Sequence, residues 1–210
     1  MSHTYFHSST TFVNVMKKIG TLLFDDVELL DFAGPLQIFS SLGRVLDDDS
    51  IKTPIIGIDK EICVSKSKLK ITCDYVAEDY DEELDLIIIP GGMGTRALIK
   101  QEHNLDAIKK LISLSRRVAT VCTGSLVLAK MGLLNGKKAT THFSAVDILT
   151  KLDPSIIVDR SKRYHDHGDI IISEGVSAGM DMSLYLVAKH VGEETADAIR
   201  KYIEYYPEPF

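Results

Sequence analysis

Apolar positions along this chain follow two alternating rhythms. Short, almost unbroken apolar runs occur at Lys18–Phe24, at Leu84–Pro90 (L-D-L-I-I-I-P) and at Val118–Cys122. The stretches between them carry apolar residues three and four apart. A strand covered on both faces reads as a continuous apolar run, whereas a helix lying on a sheet shows a period of 3.6. The helical rhythm is carried by Leu36, Ile38, Phe39 and Leu42, opened by Gly34-Pro35 and closed by Gly43. It returns at Leu105, Ile108, Leu111 and Ile112 within Asn104–Ser115, and again over Ser144–Leu152, which Asp153-Pro154 ends. Two closing helices are expected over 178–191 and 192–205. Lys52–Asp59, Ile62–Val64, Leu69–Thr72, Ala139–His142, Ile156–Val158 and Ile170–Ser173 are β-rich, Asn135-Gly136 marks a turn, and the acidic stretch Glu78–Glu83 reads as a solvated connection.

This alternation predicts an α/β fold: a doubly wound, mostly parallel sheet sandwiched by helices. One domain is expected over 17–210. The first fifteen residues contain no Asp, Glu, Lys or Arg and lack the apolar stretch of a signal peptide, so 1–16 is set aside as a flexible N-terminal extension.

Composition narrows the partners. The chain of 210 residues is 45% hydrophobic and 26% charged, as ordinary globular domains are. Its net charge of −6 argues against nucleic acid as a partner, and no apolar run has the length of a membrane helix. Three cysteines at irregular spacing point to a reducing, cytoplasmic setting rather than to a disulfide framework. Cys63 and Cys73 lie in β-rich segments without a C-x-x-C pattern and are read as structural.

The chemistry is carried by V-A-T-V-C-T-G-S-L-V-L-A-K-M (118–131), a buried strand that turns at Cys122 into an apolar helix. Such a hinge lifts its side chain clear of the sheet and aims unpaired N–H groups at it, as in a nucleophile elbow. The helix N-terminus should make the thiol more acidic. The plainer reading is that Cys122 fills a strand end as a small hydrophobe. In doubly wound sheets, sites form beyond the carboxyl ends of the strands. Asp31, the loop Pro90-Gly91-Gly92-Met93-Gly94 and Cys122 all arrive at that edge. Gly91 and Gly92 could be mere turn glycines or could contribute, with the Thr123 N–H, to an oxyanion hole. Asp31 reads either as a helix cap or, if it lies against the thiol, as a carboxyl that shares protons with it and stays protonated. Residue 123 is threonine where a cysteine hydrolase would want an imidazole nearby. His142 reads as a strand-end histidine hydrogen-bonded within the core, and His165 with His167 lacks the third ligand of a metal site.

These blocks together resemble the ThiJ/PfpI superfamily, with its class I glutamine-amidotransferase-like, flavodoxin-like fold, and within it the isocyanide hydratase branch. The resemblance runs through L-L-F-D-D-V-E-L-L-D-F-A-G-P (22–35), I-I-I-P-G-G-M-G (87–94), V-C-T-G-S-L-V-L-A (121–129), G-L-L-N-G-K-K-A-T-T-H (132–142), S-A-G-M-D (177–181) and the tail from Tyr205. It implies a cysteine nucleophile at Cys122, a general acid/base at Asp31 and a threonine, Thr123, beside the nucleophile. Gly91, Gly92 and Val176 are the expected substrate and oxyanion positions. It further implies a homodimer acting on a small molecule, without cofactor or metal, that hydrates an isocyanide to an N-substituted formamide. Glu174 departs from the glycine-rich pattern of that branch, and pointing inward it would oppose thiolate formation. Three other readings compete: a non-catalytic cysteine redox sensor, a glyoxalase- or amidase-type enzyme, and the ligand-sensing domain of AraC-type regulators. The second commonly has a histidine after the cysteine or a glutamate in place of Asp31, and the third is expected to continue into a DNA-binding region.

Overall fold

The computed structural model describes residues 15–207. In chain order the elements are β1 (Ile19–Leu23), α1 (Leu29–Leu46), β2 (Ile55–Gly57), β3 (Ile62–Val64), β4 (Lys70–Thr72), β5 (Tyr75–Val76), β6 (Leu86–Ile89), α2 (Thr95–Leu98) and α3 (Glu102–Ser113). There follow β7 (Val118–Thr120), α4 (Ser125–Lys130), β8 (Lys138–Ala139), α5 (Val146–Leu152), β9 (Ile157–Val158), β10 (Tyr164–Asp166), β11 (Ile170–Ser173), α6 (Ala178–His190) and α7 (Glu193–Tyr202).

Seven strands form the main sheet in the order β10-β11-β7-β6-β1-β2-β5, all parallel except the edge strand β10, which runs antiparallel to β11. The unbroken apolar run of β6 explains itself here. Leu86 and Ile88 join a core with Ile38, Phe39 and Leu42 of α1, Met182 and Leu186 of α6 and Ile199 of α7. Ile87 and Ile89 enter the opposite core with Leu105, Ile108 and Leu111 of α3, Leu126 and Val127 of α4 and Leu149 of α5. Alternate side chains point to opposite faces, so a strand covered on both sides must be apolar throughout. The doubly wound α/β fold is as expected.

Several boundaries differ. The extension expected over 1–16 lies outside the described residues except for its last two, and Met16 is buried in the core beside Ile19. Helix α1 begins at Leu29, five residues before Gly34-Pro35, and continues past Gly43 to Leu46. Proline inside a helix removes a hydrogen bond and crowds the carbonyl four residues back, here that of Asp31. Packing outweighs this, because Phe32 is buried in the core and Gly34 lies against Met180 of α6 so closely that an added Cβ would sit 2.8 Å from Met180 Cγ. Asp31 is therefore inside the first turn of α1 and not ahead of it. The strand expected over Ala139–His142 shrinks to β8, which pairs with β9 outside the main sheet. Cys63 and Cys73 are free, buried thiols whose sulfurs stand 3.8 Å apart beside the β3–β4 hairpin.

Candidate active site

The elbow forms where β7 ends. Val121 is extended, Cys122 takes φ 58°, and Cys122–Gly124 make one 3-10 turn leading into α4. A left-handed conformation at a non-glycine residue costs on the order of 1–3 kcal/mol and persists only where the surroundings enforce it. They do so through the backbone: the Cys122 N–H donates to the Glu174 carbonyl at 2.9 Å, and Thr141 Oγ1 donates to the Cys122 carbonyl at 3.0 Å. Gly124 is held against β6, where a Cβ would fall 2.1 Å from the Ile89 carbonyl oxygen. Thr141 is a pin that the A-T-T-H block contained but pattern reading did not single out.

Asp31 reaches this elbow from α1 and is completely buried. Its Oδ2 accepts the Gly91 N–H at 2.9 Å, while Oδ1 is buried without a hydrogen-bond partner among the described residues. Burial dominates its chemistry and pushes the carboxyl up to about 7 against the Gly91 N–H, the Cys122 thiol and the Val176 N–H, which favour the charged form; the Glu28 charge adds to the rise. Cys122 is 5% exposed. Burial pushes its thiol up to about 12, helped by the Asp31 carboxylate and opposed by the N–H groups of Thr123 and Val176. The expectation of an exposed, acidified thiol is thereby corrected. One 3-10 turn and a six-residue helix do not offset burial beside a carboxyl group. Each of the two groups is among the causes of the other's shift, and Asp31 Oδ1 is left without another partner among the described residues.

The oxyanion expectation also changes. The Gly91 N–H is committed to Asp31, and the Gly92 N–H donates to Thr123 Oγ1 at 2.9 Å. Thr123 Oγ1 donates back to the Gly92 carbonyl at 3.0 Å and lies 3.1 Å from Thr95 Oγ1. Gly91 and Gly92 therefore position Asp31 and Thr123 and offer no free donor to a ligand. The N–H groups that favour the charged sulfur are those of Thr123 and Val176. Val176, which lines the same cavity as Cys122, takes φ 50°, an outlier for a β-branched residue.

Gly91 is where these groups converge. A Cβ there would lie 2.5 Å from Thr123 N, 2.7 Å from Thr123 Oγ1 and 2.8 Å from Asp31 Oδ2. Gly91→Ala is expected to destabilise the fold by ~1–3 kcal/mol in urea unfolding, because Thr123 N is backbone of the elbow and Thr123 Oγ1 is held by Gly92 and Thr95. An unchanged midpoint would mean that the loop is free to move away.

Glu174 pairs with Arg160 at 3.4 Å and is not among the charges that raise the Cys122 thiol. His142 is corrected as well. It is half-buried, its Nδ1 lies 2.8 Å from Ser144 Oγ, and it lines the cavity that contains Cys122, Thr123 and Val176. His165 Nε2 and His167 Nε2 face the carbonyls of Asp159 and Lys138, and among the described residues no cluster of three metal-binding side chains occurs. The same cavity, about 130 Å³, is also lined by Glu28, Met93, Lys66 and Arg96; Glu28 and Met93 belong to segments that the sequence brought to this edge, whereas nothing in the sequence pattern marked Lys66 or Arg96.

A mostly parallel α/β sheet with a strained cysteine elbow at its carboxyl edge and a buried aspartate beside the sulfur defines a class of cysteine-elbow domains. The chain belongs to the DJ-1/PfpI family, whose pattern matches residues 17–189. It is 36% identical over 192 residues to the isonitrile hydratase of Pseudomonas putida, covering 91% of this chain and 80% of that one. An HTH-type transcriptional regulator of Pseudomonas aeruginosa is 25% identical over 90% of this chain, which spans about half (51%) of the regulator. Among solved structures, a ThiJ/PfpI family protein from Pseudomonas syringae superposes with a TM-score of 0.82 at 28% identity, covering 93% of this chain and 77% of that one. Among the described residues, no helix is long and apolar enough to cross a membrane.

Proposed function

We propose that this protein hydrates a small organic isocyanide to an N-substituted formamide, with Cys122 as nucleophile and Asp31 as general acid/base. The observation that carries the reading is the buried Cys122–Asp31 pair, whose carboxyl is raised to about 7 beside a strained elbow sulfur. Similarity to an isonitrile hydratase over nine-tenths of the chain supports the same reaction.

The pair holds one proton in its reactive form. With that proton on Asp31, the Cys122 thiolate attacks the terminal isocyanide carbon, a C–S bond forms, and Asp31 delivers the proton to the same carbon, giving a thioimidate. Asp31, now charged, takes a proton from water as its oxygen adds to that carbon, and the proton passes to nitrogen. The tetrahedral adduct then loses its hydroxyl proton to Asp31 as the C–S bond breaks. The formamide leaves, and thiolate and acid are restored. The N–H groups of Thr123 and Val176 hold the sulfur's negative charge at the start and the end of the cycle.

This assignment fixes a pH profile. Below the carboxyl's raised pKa the pair carries two protons and the sulfur cannot attack; above the thiol's pKa it carries none and the acid is lost. Hydration of an aryl isocyanide, followed as formamide production, is therefore expected to rise with pH through about 7 and to fall only towards about 12. An activity already complete at pH 5 would contradict the assignment, as would an isocyanide left unchanged at every pH.

A further inference from the structure

The chemistry above leaves two cations of the cavity without a task. Arg96 of α2 is half-buried in its wall, and Lys66, just beyond β3, stands exposed at its rim. Neither enters an ion pair among the described residues. Five other arginines are engaged, Arg116 with Asp85, Arg160 with Glu174, Arg163 with Asp181, Arg200 with Asp197 and Arg44 over the Tyr202 ring; Arg117 is also without an ion pair among the described residues, but only Arg96 lines the cavity that holds Cys122. A partly desolvated guanidinium without an acceptor is costly, and its planar fork of donors matches a carboxylate in bidentate fashion. Glu28 lines the same cavity with the opposite sign. Two cations against one carboxylate still leave the mouth net positive, on a protein whose overall charge is −6. In a space of about 130 Å³, a group held by Arg96 stands close to the sulfur, so the anion and the reacting carbon must belong to one small molecule.

We propose that Arg96, with Lys66 at the rim, binds a carboxylate on the substrate, and that the substrates are small isocyano acids, in which an isocyano group stands where an amino acid carries its amine. The proposal rests on the hydratase reading for the reaction, but the anion site is a separate claim with its own readout. Isocyanoacetate and its methyl ester differ in charge at the relevant end of the molecule. The wild-type protein should prefer the acid over the ester by at least ~10-fold in kcat/KM, a difference typical of one charge-assisted contact. Arg96→Gln should reduce that preference by ~10-fold or more, Arg96→Lys by less, and Lys66→Gln by a few-fold. Added salt should erode the preference most where Lys66 remains. Binding of isocyanoacetate to the Cys122→Ala variant, measured by calorimetry with and without Arg96→Gln, reads the same site without turnover. Acid binding that depends on Arg96 while neither compound is hydrated would keep the anion site and sink the hydratase reading. Equal treatment of acid and ester, or an acid preference that survives Arg96→Gln and Lys66→Gln together, would overturn the proposal. Should Arg96→Gln fail to fold, Arg96→Lys and Lys66→Gln still decide it.

Discussion

Cys122→Ala is expected to reduce isocyanide hydration to background, a loss of at least ~10³-fold, while thermal unfolding shifts little. Alanine keeps the Cβ, and the bonds that enforce the elbow, from the Cys122 N–H to Glu174 and from Thr141 to the Cys122 carbonyl, use only backbone atoms at this position. The change thus removes the sulfur and nothing that holds the turn. Residual turnover within ~10-fold of wild type would mean that the carboxyl and the N–H groups hydrate the substrate without a covalent step. The redox-sensor reading makes a different demand. Peroxide would modify Cys122 once per chain, and no isocyanide would be consumed.

Asp31→Asn is expected to move two observables in opposite directions. Hydration should fall by ~10²–10⁴-fold, the usual cost of a missing acid/base. The thiol should meanwhile become more acidic, because the Asp31 charge is the largest contribution to its raised pKa after burial. Alkylation by iodoacetamide at pH 8 should therefore be faster in the variant than in the wild type. A residue that only supported the fold would not give lower turnover together with a more reactive sulfur. Stability should respond too. The folded carboxyl titrates near 7 and its ordinary value is 3.8, so the stability that its protonated form contributes is fully present below about pH 4 and is lost as pH rises through 7. Asp31→Asn removes that dependence, and the variant should gain on wild type between pH 4 and 8 by on the order of a few kcal/mol. Parallel pH profiles of unfolding for the two proteins would show that the carboxyl is not buried as described.

The interior of the sheet was the most legible part of the chain, since β6 between two cores leaves no position for a polar residue. The hinge at Cys122 was legible for the same reason: an apolar strand and an apolar helix meeting without a linker force a sharp turn. Asp31 came into view through the family resemblance, because a carboxylate near a helix start has an ordinary role as a cap. What stayed hidden depends on neighbours distant in the chain. The direction of the thiol's shift is set by its own burial, with the Asp31 charge added, and local helix chemistry suggested the reverse. The N–H groups of Gly91 and Gly92 looked available in a glycine-rich loop, yet residues 31 and 123 already occupy them. Helix α1 starts earlier than Gly34-Pro35 predicts, since proline is an ordinary first-turn residue, and burial of Phe32 with the contact of Gly34 and Met180 explains why the helix tolerates it further in. Arg96 and Lys66 carry no motif at all; the shape of the cavity alone brings them beside the sulfur.

Covalent chemistry at one sulfur is the centre of the account, and rapid acid quench of the wild-type protein with an aryl isocyanide, followed by peptide mass analysis, tests it most directly. The account predicts a transient mass increase equal to the whole isocyanide on the peptide containing Cys122, decaying as the formamide appears. Formamide produced at an undiminished rate with no adduct at any time, or with the adduct on Cys63 or Cys73 instead, would contradict it.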